Sequence, residues 1–202
     1  MYEYLREMLR SGNLTPGSTI QTATLAKQLG ISKTPLRDAL IQLQAEGFLR
    51  ILPQRGVVIS TLNSKELEQI VEILGALESK ALMRAFPRID SGHIEKMKKI
   101  NEKLISLISA GDRAFRQYNE LNIAFHDVFL NLCDNHLMVN QIRMLKERMY
   151  HFPDRDYGDV WRQMNADEHR ELIELIETGR ATNAADFIRD KHWSFDIHKS
   201  PL

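Results

Sequence analysis

"LAKQLGISKTPLRDALIQLQAEGFLRILPQRGVVIS", Leu25 to Ser60, sets two helical phrases, a four-residue break and a Gly-centred turn in one short span. The first phrase ends at Gly30, which tolerates the left-handed backbone of a helix C-cap. Ser32 is placed to cap the second, and Pro35 falls in its first turn, where a missing N–H costs little. Leu36, Ala39, Leu40 and Leu43 recur at helical spacing, so they predict the buried face. Gly47 stops this helix at about Glu46. "FLRIL" and "GVVIS", joined by "PQR" and Gly56, read as a β-hairpin. Two short helices followed by a hairpin form a winged helix-turn-helix. In that arrangement the second helix enters the major groove by its N-terminal end. That end carries Ser32, Lys33, Thr34 and Arg37. Hydroxyls, the helix N-terminus and the point charge of Lys33 suit phosphates. The Arg37 fork suits guanine. Arg55 and Gly56 fall at the hairpin tip, where a wing touches a groove or the backbone. The pattern alone also admits a plain helical hairpin with a solvated charged face.

Upstream, Tyr4, Leu5, Met8 and Leu9 predict a helix from Tyr2 to Ser11, broken by "SGNLTPGSTI"; Thr22 or Thr24 then caps a helix ending at Leu29. Downstream of Asn63 almost no strand pattern occurs. Asn63 with Glu66 reads as a capping box opening a helix to Ala85, closed by Pro87. Further helices fit 91–109, 112–133, 135–150, 157–178 and 181–197, separated by Gly92, "AGD", "DNH", "FPDRDYG" and "TGR". Short loops between six helices predict an antiparallel bundle. The expected fold is mainly α: an N-terminal winged helix-turn-helix domain over 1–62, then an all-α antiparallel helical bundle over 63–202.

The 202 residues are 43% hydrophobic, enough for a real core. No run of about 18 apolar residues occurs, so no membrane span is expected. The N-terminal stretch has acids among its apolar residues and no cleavage site, unlike a signal peptide. Cys133, the single cysteine, allows no intrachain disulfide, which fits the cytoplasm. Net charge is zero. Residues 1–60 hold seven Lys/Arg against four Asp/Glu, and the rest hold 20 against 23. A basic front and an acidic back suggest two modules with different partners.

Three histidines stand on predicted helices of the second half. His126 follows Asn122 by four residues, on one helix face. His169 lies in "ADEHRELIELI" and His192 in "IRDKHWSF". Imidazoles from three helices meeting in a bundle would bind a transition metal. A hydrogen-bonded core histidine is the competing reading of each. His93, His136, His151 and His198 lie near predicted helix ends and read as surface or capping residues. Cys133 reads as a small core residue, and Arg143 and Arg148 as helix-face ion-pair partners. Met97, Met138, Met144, Met149 and Met164 read as core filling.

"LAKQLGISKTPLRDALIQLQAEGFL" with "QRGVVIS", preceded by "LTPGSTI", closely resembles the DNA-binding domain of the GntR family of bacterial transcription regulators, over residues 1–60. Lys33 stands where that family usually has Arg. "QTAT" lacks its acidic residue, and the first helix is short, as in a chain with a truncated start. Residues 63–197 resemble the FCD effector domain of the FadR-like branch, and six helices are similar to its VanR-type subgroup. The resemblance implies a metal held by a D-x3-H pair and two later histidines. It maps onto Asn122, His126, His169 and His192, with Asn122 at the acid's place. Asparagine offers one neutral carbonyl oxygen, so binding of the expected divalent ion, zinc or nickel, would be weaker. Many relatives carry Arg near Leu74 to meet an effector carboxylate, whereas "EILGALES" offers no cation.

The expectation is therefore a ligand-responsive repressor. A homodimer would bind double-stranded DNA at a pseudo-palindromic operator, and a small organic acid would bind through the metal, with "STLNS" as the hinge. Alternatives are a pure metal sensor, a constitutive DNA-binding protein and a metal enzyme. Against the last, G-x-S-x-G, P-loop and G-x-G-x-x-G motifs are absent. Glu168, the nearest base, is expected to point away from the face of His169.

Overall fold

Leu36, Ala39, Leu40 and Leu43 do face inward, at 5% exposure or less, on a helix whose other side is open to solvent. This is the computed structural model of the chain, and it describes residues 1–108, 115–150 and 158–194. The described residues cluster into two compact units, one built on Met1–Asn63 with residues 147–150, and one on Ser64–Lys146 with the chain from residue 158 on. Expectations for His151 and His198, for the breaks at 110–112 and 152–157, and for helix ends at 109, 112–114 and 195–197 lie outside the described residues.

The first unit runs α1 (Tyr2–Arg10), β1 (Thr19–Ile20), α2 (Thr22–Leu29), α3 (Lys33–Ala45), β2 (Leu49–Leu52) and β3 (Gly56–Ile59). Its core is wholly apolar. Leu5 and Leu9 of α1, Leu25 of α2 and the inner face of α3 pack with Phe48, Leu49, Val57 and Ile59. Gly30 has φ 63° and closes α2 in the left-handed conformation. The hairpin β2–β3 is antiparallel, with Arg50 opposite Val58 and Leu52 opposite Gly56.

Two local expectations are corrected. "LTPGSTI" is more than a break, because Thr19–Ile20 pairs with Val57–Val58 and makes a three-stranded sheet of order β1-β3-β2. A two-residue strand leaves no periodicity to read. The N-cap of α2 is Gln21, not Thr22 or Thr24. Its side-chain amide donates instead to the Arg55 carbonyl at 3.1 Å, tying the hairpin turn to the start of α2.

The second unit holds α4 (Ser64–Ala85), α5 (Ser91–Leu107), α6 (Phe115–Leu130), α7 (His136–Tyr150) as far as Lys146, α8 (Gly158–Glu177) and α9 (Ala181–Phe187). A short 3₁₀ turn over Phe86–Arg88 follows α4, where Pro87 was expected to close it. Asp90 caps α5 in a reciprocal box with His93, which fits the capping role read for that histidine. The last helix departs from expectation. It is α-helical only to Phe187, then widens into a π turn over Ile188–His192, closed by Trp193 N–H donating to the Ile188 carbonyl at 3.0 Å. Such turns rotate the side chains beyond them and occur at functional sites.

Helix α4 packs against α6, α9 and the π turn, and α5 packs against α6 and α8. Gly75 makes the α4 contact with the π turn close. A Cβ there would stand 3.1 Å from the Arg189 carbonyl oxygen and 3.2 Å from the Trp193 Cβ.

Two substitutions follow. Gly75→Ala pushes Arg189–Trp193 off α4, with an expected loss of about 1–3 kcal/mol and a shifted tryptophan emission, both read in chemical denaturation. Gly56 has φ 98°, and a side chain there collides with the Ile20 carbonyl. Gly56→Ala should cost at least about 1–3 kcal/mol by the same assay. An unchanged midpoint in either variant contradicts the packing described.

Candidate metal centre and nucleic-acid interface

On the first unit, Ser32, Lys33, Thr34 and Arg37 are all exposed at the N-terminal end of α3, opposite its apolar face. Ser32 is the N-cap residue, as expected, but its side chain makes no capping bond. Arg55 is exposed in the hairpin turn and Gly56 half-buried beside it. The structure thus gathers the four α3 residues at one helix end and keeps the hairpin pair as a separate tip.

The second unit has a different interior. Every buried polar or charged side chain among the described residues lies there: Glu78, Ser79, Asn101, Asn119, Asn122, His126, Lys146, Arg162, Asn165, Glu168, His169 and His192. Buried polar groups are costly unless paired, so their concentration marks a built chamber.

His126 of α6, His169 of α8 and His192 of the π turn meet inside it, each at most 1% exposed. One nitrogen from each lies within 4.8 Å of the others. The remaining nitrogens face oxygens. His126 Nδ1 is 2.8 Å from Glu78 Oε2, and His192 Nδ1 is 2.9 Å from Glu168 Oε2. His169 Nδ1 is 3.2 Å from Asn101 Oδ1. The Asn101 amide donates to the Ala166 carbonyl at 2.9 Å, which fixes its oxygen toward the imidazole.

These partners assign the protons. Carboxylates and an amide oxygen only accept, so each Nδ1 carries the hydrogen and each Nε2 presents a lone pair. His169 Nε2 is buried with no hydrogen-bond partner among the described residues. His126 Nε2 and His192 Nε2 stand 3.2 Å apart. Two lone pairs at that distance repel unless a proton or a metal ion stands between them. Three buried imidazoles backed by oxygens are a donor set that could hold a transition metal. Burial lowers the pKa of His126 to about 3, despite the opposing Glu78 charge. Burial, then the neighbouring imidazoles, hold His169 well below its ordinary value. Both rings are therefore neutral at pH 7, the form that ligates. His169 is also stacked on Phe125, with ring centroids 3.7 Å apart.

Asn122 is fully buried one turn before His126 on the same face of α6. Glu168 does not point away. It is 4% exposed and holds His192, because α8 is buried over an arc wide enough to include adjacent positions.

Sequence reasoning missed Glu78, Asn101 and Lys146. Glu78 accepts from the Trp193 indole N–H at 2.8 Å as well as from His126, and its other oxygen pairs with Lys146. Burial pushes the Glu78 carboxyl up, but His126 and Lys146 outweigh it and hold it below the usual range. The signal was available: Glu78 interrupts the apolar stripe Leu67, Ile70, Val71, Leu74, Ala81, Leu82 of α4. Lys146 similarly follows Val139 and Ile142 on α7. Other readings concern side chains that lie elsewhere. Arg143 pairs with Asp127 at 3.1 Å, Cys133 is buried, and Met97 is core while Met164 is exposed.

Comparison with known proteins agrees with both units. Residues 1–59 match the model of "bacterial regulatory proteins, gntR family", and residues 69–191 match that of the FCD domain. The Escherichia coli regulator McbR is 28% identical over 170 residues, 84% of this chain and 74% of its own. The Bacillus subtilis gluconate operon transcriptional repressor is 24% identical over 202 residues, 95% of this chain and 79% of its own. Among solved structures, E. coli McbR/YncC superposes with a TM-score of 0.74 at 22% identity, covering 93% of this chain and 89% of that one. A putative regulator from Rhodococcus gives 0.74 at 13% identity, covering 100% and 97%. No helix among the described residues is long and apolar enough to cross a membrane. The chain belongs to the gntR family of bacterial regulatory proteins, with an FCD domain behind its DNA-binding domain, and is a transcriptional regulator rather than an enzyme.

Proposed function

We propose that the protein is a metal-dependent, ligand-responsive repressor acting as a homodimer on a pseudo-palindromic operator. The observation that carries this reading is the convergence of His126, His169 and His192, one ring nitrogen of each within 4.8 Å of the others and each Nδ1 close to an oxygen. With Asn122 on the same helix face as His126, these residues would hold one divalent ion, zinc or nickel. A metal with an open position binds carboxylates and other hard donors as a Lewis acid. The ligand of this reading is a small organic acid. Domains divide as 1–62 for DNA and 63–202 for ligand and dimerisation, joined through residues 60–64. Repressor names among the relatives support the sign of the response.

Ligand binding matters only if it favours one arrangement of the DNA-binding domains over another. Two copies of α3 would read two half-sites. Lys33, Ser32 and Thr34 take phosphates, Arg37 takes a base edge, and Arg55 with Gly56 takes the flanking groove.

Fluorescence anisotropy on an operator selected from random duplexes tests these roles. Arg37→Ala should lose about 1–3 kcal/mol and relax the preference at one base position. Lys33→Ala should weaken all duplexes alike and flatten the salt slope. His126→Ala should keep basal operator affinity and lose the response to metal and organic acid together. If acids leave operator affinity unchanged while the metal alone releases DNA, the protein is a metal sensor instead.

A further inference from the structure

Lys146 is an unusual residue for a bundle interior. Its side chain is 2% exposed, its ammonium pairs with Glu78, and it lies 5.2 Å from the centre of the Trp193 ring. Glu78 is itself fully buried and already holds the His126 Nδ1 hydrogen and the Trp193 indole. Orienting His126 needs only an oxygen acceptor, as Asn101 shows at His169. A lysine is not needed for that. What it does is cancel the charge of Glu78.

The charges around the cluster can then be counted. Glu78 and Lys146 cancel. Arg162, 2% exposed, is paired with Asp159 at 3.0 Å and cancels likewise. Glu168 holds His192 and has no Lys or Arg ion pair among the described residues, so it contributes one negative charge. Counted over the described residues, three imidazoles bound as ligands and a divalent ion leave the loaded centre at one net positive charge. An unmatched charge in a low-dielectric interior is costly, and a ligand of opposite sign removes that cost.

We propose that Lys146 sets the charge of the ligand accepted by the metal-loaded cluster, and that this ligand is a monoanionic carboxylate. The inference rests on the metal reading above and deepens it. Lys146 is a cation of α7 that acts through Glu78 and His126 by charge. Lys146 is thus a specificity-determining residue and need not touch the ligand. Without it, Glu78 and Glu168 together neutralise the divalent ion, and a neutral ligand becomes the better match.

The test is calorimetry on zinc-loaded protein with two bidentate probes of one shape, glycolate and glycolamide. The wild type should favour glycolate. Lys146→Met should keep its zinc and reduce the glycolate-to-glycolamide ratio by about tenfold, the effect of removing one charge at this range. Lys146→Arg should keep the ratio. The double variant Glu78→Gln with Lys146→Met restores charge balance with no buried ion unpaired, so it should recover the preference even if Lys146→Met folds poorly. An unchanged ratio in zinc-loaded Lys146→Met, a double variant that behaves like the single one, or a wild type favouring the amide overturns the inference alone. A wild type that takes up no zinc overturns the metal reading, and this inference with it.

Discussion

Three close contacts of imidazole Nδ1 atoms with oxygens, of Glu78, Asn101 and Glu168, decide what the second unit can do. They fix the tautomer of each ring and turn three lone pairs toward one point. They also span the unit: Glu78 belongs to α4, Asn101 to α5, Glu168 and His169 to α8, His126 to α6 and His192 to the π turn. The bundle is therefore held around its chemistry. His126 and His192 face each other at 3.2 Å, a separation that one shared proton or one metal ion between the two nitrogens would satisfy.

The contrast with the first unit is physical. There the core is Leu, Ile, Val, Ala and Phe, and the functional groups sit outside on exposed backbone ends and turns. DNA is met at a surface, so the interior can be dry and apolar. In the proposed reading a small ligand is met inside; the second unit carries charges in its core and must pair them. Each group left unpaired would cost about 1–3 kcal/mol. The pairs Glu78–Lys146 and Glu168–His192 keep that cost down.

The DNA-binding unit was largely legible in the chain, since Gly30, Ser32 and Gly47 punctuate α3 and its apolar spacing is clean. Strand β1 was not, because two residues carry no alternation. Nor was the Gln21 cap, whose side chain is spent on Arg55. The helices of the second unit were legible from their breaks, and so were His126, His169 and His192 as residues of interest. Of their oxygen partners, Glu78 was legible only as a break in an apolar stripe and not as a partner of His126. An acid or lysine on a helix reads as a solvated face, and only the packing of α4 against the π turn, through Gly75, puts Glu78 beside Trp193 and His126. Glu168 was misjudged because helix-face arithmetic assumes a narrow buried stripe, and α8 buries Arg162, Asn165, Ala166, Glu168 and His169 together. The π turn that orients His192 has no sequence signature in this chain.

The most direct measurement is a metal count on protein purified without chelator, joined to X-ray absorption at the edge of the bound element. The account predicts about one divalent transition metal per chain, with imidazole nitrogens in its first shell at about 2.0–2.1 Å. A protein that stays empty after incubation with zinc, nickel and manganese, or a bound ion without imidazole ligands, would contradict it.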